Sequence, residues 1–155
     1  MMVPRHPHRF EEVYLLTKAT GLSVTRLDDD QLSPSKVIIV DQMGWLKACY
    51  QLCTVAFIGG SVAPKGGHNG LECAMYAKPM VMGNSTFNNP AIVDMLVAQG
   101  AIDIIENEQQ CFKKIKRILA DPNAATLRGE AGRKVLYDNR GAVELTYQQL
   151  KRFLE

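Results

Sequence analysis

The stretch best suited to chemistry is Gly59-Gly60-Ser61-Val62-Ala63-Pro64-Lys65-Gly66-Gly67-His68-Asn69-Gly70-Leu71-Glu72. It follows an apolar run, Thr54-Val55-Ala56-Phe57-Ile58, which reads as a buried strand, and precedes Leu71 to Ala77, which reads as a helix start. Glycines let the backbone turn tightly and approach a ligand closely. Free N–H groups and the helix dipole at a helix start favour a phosphate or carboxylate. Strand, glycine loop and helix N-terminus in that order therefore predict an anion site. The loop is not a Walker A motif, because Lys65 precedes the glycine pair, and it contains no G-x-G-x-x-G.

A sugar-nucleotide site fits these residue types. Gly66, Gly67 and the following amides would hold phosphate oxygens, with Lys65 and Arg5 adding positive charge. Glu72, one turn into the helix, suits the hydroxyl pair of a ribose and not a phosphate. Each residue also has a structural reading. Asn69 and Glu72 have capping-box spacing. His68 is either a ligand or a ring packed on the helix start. Asn88 is either a ligand or a helix N-cap before Pro90. Met43 and Gly44 form walls for a base, or Met43 belongs to the core. Arg5 sits with His6 between Pro4 and Pro7, which hold the pair extended or in a turn. Arg5 reads as a ligand contact or as a surface charge. Ser61 and Thr86 complete the candidates.

Alternating short strands and helices must position these loops. Met1 to Val3 reads as the end of a strand, Arg9 to Ala19 as a helix with Phe10, Val13, Leu16 and Ala19 on one face and Gly21 as its C-cap, and Val24 to Leu27 as a strand. Val37 to Val40 reads as a strand buried on both faces, Trp45 to Leu52 as a helix and Pro79 to Met82 as a strand. Pro90 opens a helix that Gly100 ends, and residues 101–105 form a last strand. The helical tail begins at an Asn107 N-cap, with Cys111, Phe112, Ile115, Ile118 and Leu119 inward. It breaks at Asp121-Pro122 and at residues 139–141, and its last helix has Val143, Tyr147, Leu150 and Leu154 on one face. The pattern predicts a Rossmann-like α/β fold with a mostly parallel sheet, flanking helices and a helical tail. In such sheets ligands bind at the C-terminal strand ends. There the loops at residues 4–7, 41–44, 59–70 and 83–89 would converge.

Composition narrows the class. The 155 residues, 46% apolar and 22% charged, suit one soluble domain spanning residues 1–155, and no apolar run is long enough for a membrane span. Net charge is +2, but residues 107–155 carry 10 basic and 6 acidic side chains. A solvated helix face or an anionic partner surface accounts for that excess. Asp28-Asp29-Asp30 reads as an acidic turn with no metal pattern. Cys49, Cys53, Cys73 and Cys111 form no C-x-x-C pair and read as reduced core thiols, and the histidines show no zinc-ligand spacing.

Several motifs together resemble a known family. They are Pro4-Arg5-His6-Pro7 with Arg9-Phe10, Asp41-Gln42-Met43-Gly44, and Phe57-Ile58-Gly59-Gly60-Ser61 with Gly66-Gly67-His68-Asn69 and Leu71-Glu72. Lys78-Pro79 and Thr86-Phe87-Asn88 follow in the same order and spacing. The chain resembles the 3-deoxy-D-manno-octulosonic acid (Kdo) transferases of lipopolysaccharide assembly. The resemblance implies the C-terminal, donor-binding half of a GT-B glycosyltransferase. The donor would be CMP-Kdo, bound by Arg5, His6, Pro7, Met43, Gly44, Ser61, Lys65, Gly66, Gly67, His68, Asn69, Glu72, Thr86 and Asn88. It further implies inverting transfer without a metal or other cofactor, to a lipid A precursor held by an N-terminal half that supplies a glutamate base. The full-length protein would act at the cytoplasmic face of the bacterial inner membrane, with membrane-surface contact there and no nucleic-acid partner.

Two positions depart from the family pattern. Trp45 and His8 stand where the family usually has glutamate, so roles of those acids are not carried over. The resemblance also implies that the acceptor half and the first strand-helix unit of the donor half lie outside this chain. The chain alone is then expected to be inactive, with an incomplete sheet or one completed by another chain. A UDP-sugar transferase or epimerase domain and a non-catalytic nucleotide-binding module are the alternative readings.

Overall fold

The structure is a computed structural model that describes residues 1–27 and 35–154. The acidic run Asp28-Asp29-Asp30 lies outside the described residues, as do the side chains of Val143 and Leu154. The chain divides into two compact units, residues 1–52 and 53–155.

The first unit has a 3-10 turn at Pro7–Arg9, helix α1 at Phe10–Ala19, strands β1 at Val24–Arg26 and β2 at Val37–Ile39, and helix α2 at Leu46–Leu52. Strands β1 and β2 pair in parallel, with Val24 opposite Val37. The expected strand end at Met1–Val3 is a single parallel bridge, in which Met2 donates to Ile38 O at 2.8 Å and accepts from Val40 N at 2.8 Å. Ile39 and Val40 are buried, whereas Val37 and Ile38 are only half-buried. The face of α1 also differs from expectation. Leu16 is exposed and Thr17 is buried, with Phe10 and Val13 half-buried above it. Residues 10, 13 and 17 share a helical face, and the Thr17 hydroxyl donates to Val13 O at 2.7 Å, so its burial leaves no polar group unmatched. Gly21, with φ +78°, follows the Thr20 cap in the left-handed conformation.

The second unit is built on a three-stranded parallel sheet in the order β3 (Ala56–Ile58), β4 (Met80–Gly83), β5 (Ile102–Ile105). Its helices are α3 at Leu71–Ala74, α4 at Pro90–Ala98, α5 at Glu108–Ala120, α6 at Pro122–Asp138 and α7 at Ala142–Leu154. The central strand β4 is fully buried. Strand β3 is not a wholly buried run: Ala56 and Ile58 point inward while Phe57 is 44% exposed, the alternation expected of a sheet edge.

Val81, Ile105, Ile118 and Ala125 form the core under α5 and α6, joined by Val55, Cys111 and Ile115. The inward stripe of α5 is therefore 111, 115 and 118, and Phe112 and Leu119, expected inside, are exposed. The sheet meets a single helical face, and those two side chains point well away from it. Asn107 caps α5 as expected, its Oδ1 accepting from Gln110 N at 2.9 Å, and Asp121 caps α6 in the same way at Ala124 N. Asp103 on β5 ties both helices to the sheet, pairing with Lys114 at 3.0 Å and Arg128 at 2.8 Å.

Helix α6 approaches the turn after α3 more closely than any side chain would permit. A Cβ on Gly129 would collide with the Ala77 carbonyl. Ala77 itself adopts φ +52°, a strained value for a non-glycine residue, in the turn between α3 and β4. The helix start expected over residues 71–77 is thus a single turn of α3 with a bent exit.

Candidate functional site in the strand-end loops

In the second unit, β3 and β4 are adjacent and parallel, so the loops after them leave the same sheet edge. Hydrogen bonds lock the two loops together. Gly66 N donates to Ser85 Oγ at 3.0 Å, and Asn88 N donates to Gly66 O at 3.1 Å. The Asn88 side-chain amide donates to Lys65 O at 2.9 Å and to Gly67 O at 3.2 Å. Asn88 is therefore not the N-cap of α4. That position falls to Asn89, with Pro90 as the first helical residue.

The glycine loop also closes on itself. Gly67 N donates to Gly60 O at 2.8 Å and His68 N to Gly59 O at 3.0 Å. Gly66 and Gly67 have φ +79° and +70°. A Cβ on Gly66 would lie 2.5 Å from the Asn88 side chain, and one on Gly67 would strike the Met82 methyl. These glycines are required by packing and by backbone sign together. The half-buried His68 ring lies against Gly59 and Gly60, within 3.4 Å of the Cβ position of the latter.

This arrangement redistributes the donors. The Gly67 and His68 amides have acceptors inside the loop and the Gly66 amide has one in the neighbouring loop, whereas the amides of Asn69, Gly70 and Glu72 have none among the described residues. Asn69 and Glu72 do not make the expected capping box. Asn69 Oδ1 accepts from Leu71 N, two residues on, at 2.9 Å, and Gly70 occupies the N-cap position. That bond is an Asx turn, the competing local use of an asparagine side chain. Lys65 and Glu72 are exposed, and neither side chain has a protein partner among the described residues.

Ser61 has no surface available to a ligand, being 0% exposed. Its hydroxyl donates to Ile58 O at 2.6 Å and accepts from Gly83 N at 2.8 Å. Thr86 is half-buried, and its carbonyl accepts from Asn89 N at 3.1 Å. Ser85 and Gly83 were missed by sequence reasoning. Their signal is a glycine ending a buried strand two residues before a serine. Beneath the loop, burial is the main cause that pushes the Cys73 thiol up to about 12, with nearby Cys53 adding to it.

In the first unit the parallel bridge from Met2 to Ile39 sends residues 3–7 and 40–44 off the same edge. Arg5, His6 and Pro7 are exposed there, with His6 leading into the Pro7–Arg9 turn and its ring stacked on His8 at 5.5 Å. Met43 is exposed and not part of the core, and Gly44 has φ +93°. Asp41, at the base of that loop, is paired with Arg26 at 3.4 Å.

No family model matches the chain. Over its full length it is 35% identical to the 3-deoxy-D-manno-octulosonic acid transferase of Haemophilus influenzae, and over 99% of its length 29% identical to that of Bordetella pertussis. It spans about 37% of either protein. Among solved structures it matches the C-terminal CMP-Kdo binding domain of WaaA from Acinetobacter baumannii. The TM-score is 0.81 at 36% identity, covering 86% of this chain and 72% of that one. The chain belongs to the Kdo transferase family. Its parallel sheets, flanking helices and helical tail are those of the C-terminal GT-B domain of that family. Both clamped loops of the second unit lie in the region that carries the Kdo transferase motifs.

Proposed function

We propose that residues 1–155 act as a single CMP-Kdo-binding domain, the donor half of a Kdo transferase. The observation that carries this reading is the clamp between the loops after β3 and β4. It fixes the backbone of residues 65–67, in the same loop as the Lys65 side chain and the unmatched amides of residues 69 and 70 and just before Glu72. Lys65 and the unmatched amides hold the phosphate, and Glu72 accepts from the ribose hydroxyls. His68, Asn69 and Thr86 complete the loop surface, and Arg5, His6, Pro7, Met43 and Gly44, in the first unit, are donor contacts that the family resemblance implies. Gly66, Gly67, Ser61 and Asn88 shape the loop and touch the donor little or not at all.

In the whole protein, charge developing on the departing CMP phosphate would be stabilised by Lys65 and the same amides. The sugar would pass with inversion and without a metal to a lipid A precursor, in lipopolysaccharide synthesis at the cytoplasmic face of the inner membrane. The acceptor contacts and the glutamate base belong to the part of the relatives' length that this chain does not span, so the chain alone gives no transfer. Among the described residues, no helix is long and apolar enough to cross a membrane.

A calorimetric comparison tests the donor class. CMP carries one phosphate and UDP two. The expected outcome is one CMP bound per chain, with UDP at least about tenfold weaker, a gap of roughly 1.4 kcal/mol. Equal or tighter binding of UDP would point to a different sugar nucleotide.

A further inference from the structure

Phe87 is a large apolar side chain on the clamped loops that the donor reading leaves without a role. It is 64% exposed, although its backbone is held firmly on both sides. The next residue, Asn88, is bonded to Lys65, Gly66 and Gly67, and the turn that contains Phe87 is closed by Asn89 N donating to Thr86 O. The ring edge rests on Gly66: a Cβ there would lie 2.6 Å from Phe87 Cε2. The missing side chain at Gly66 thus makes a slot for the ring, which fixes its position and leaves most of its surface in solvent. A well-held aromatic ring beside a phosphate-type loop is the usual apolar wall of a small-molecule site.

We propose that Phe87 is a specificity-determining residue that packs against the apolar face of the sugar carried on the donor phosphate. The inference rests on the donor reading above. Its direction follows from the order of groups in the ligand, which runs base, ribose, phosphate, sugar. Glu72 takes the ribose and Lys65 with the unmatched amides takes the phosphate. Phe87 leans on Gly66, the residue after Lys65. The ring therefore stands at the phosphate end of the site, where the next group is the transferred sugar and not the base.

The test uses this chain and two ligands, CMP and a hydrolysis-stable CMP-linked Kdo analogue, titrated by calorimetry. F87A and F87L are expected to weaken the analogue about tenfold while changing CMP affinity less than about twofold, and F87Y to restore the analogue. Their thermal midpoints should match the parent, since the ring is mostly exposed. Equal loss for both ligands would place the ring on the nucleotide and overturn the assignment. Unchanged affinity for both would remove Phe87 from the site while leaving the donor reading intact. A parent chain that binds neither ligand would overturn the donor reading itself, and the inference with it.

Discussion

The Ser61 hydroxyl accepts the Gly83 amide at 2.8 Å, joining the start of one site loop to the end of the neighbouring strand. The joint is fully buried and is reinforced by Ser85 N donating to Ser61 O at 2.9 Å. Ser61→Ala leaves the Gly83 amide buried without an acceptor and should destabilise the chain by about 1–3 kcal/mol. Urea unfolding monitored by circular dichroism checks this, and an unchanged midpoint would contradict the assigned role.

Asn88 clamps the two loops and does not cap α4. Asn88→Ala releases the Lys65 and Gly67 carbonyls and should weaken CMP about tenfold, through loss of the loop's fixed shape. Asn88→Asp should be no better, because a carboxylate cannot donate to two carbonyls. Calorimetry on both variants reads this directly. If both retain parental affinity, the clamp is irrelevant to the ligand.

Gly129 and Gly132 offer a matched pair one helical turn apart. A Cβ on Gly129 meets the Ala77 carbonyl head-on, whereas one on Gly132 meets only side-chain carbons at 3.3–3.5 Å. Gly129→Ala should cost at least about 1–3 kcal/mol, and Gly132→Ala should fall well below that or gain slightly from helix propensity. Thermal unfolding of the two variants side by side decides it.

The buried thiol gives a pH dependence of known sign. Cys73 is pushed up to about 12, so in the folded chain it stays protonated in alkali that ionises it in the unfolded chain, where its value is near 8.5. Between those limits the unfolded state holds fewer protons, so stability falls as pH rises. Burial raises Cys49 and Cys111 in the same direction. Unfolding free energies measured from pH 8 to 10.5 should decline, and Cys73→Ala should flatten the slope. A stability that rises over this range would contradict the burial of the thiol.

How much of this was visible in the sequence depends on the range of the interaction. The order of strands and loops, the Asn107 cap and Pro90 at the head of α4 follow from local periodicity and caps, and all appear in the structure. What failed was decided over longer distances. Asn88 contacts carbonyls more than 20 residues away, and Ser61 bonds an amide 22 residues on, so neither pairing leaves a mark in local spacing. Phe57 and Phe112 are apolar residues at sites whose exposure depends on which faces the neighbouring elements cover. Asn69 illustrates a different limit: the same residue type serves an N-cap or an Asx turn, and backbone geometry selects between them.

The central claim is that CMP lies on the clamped loops. Titrating CMP into isotopically labelled chain and following each backbone amide by NMR tests it most directly. Saturable shifts are expected at Lys65, Asn69, Gly70 and Glu72, with smaller ones at residues 85–88 and at Gly67 and His68, whose amides already have acceptors. No saturable shift, or shifts confined to α5, α6 and α7, would contradict it.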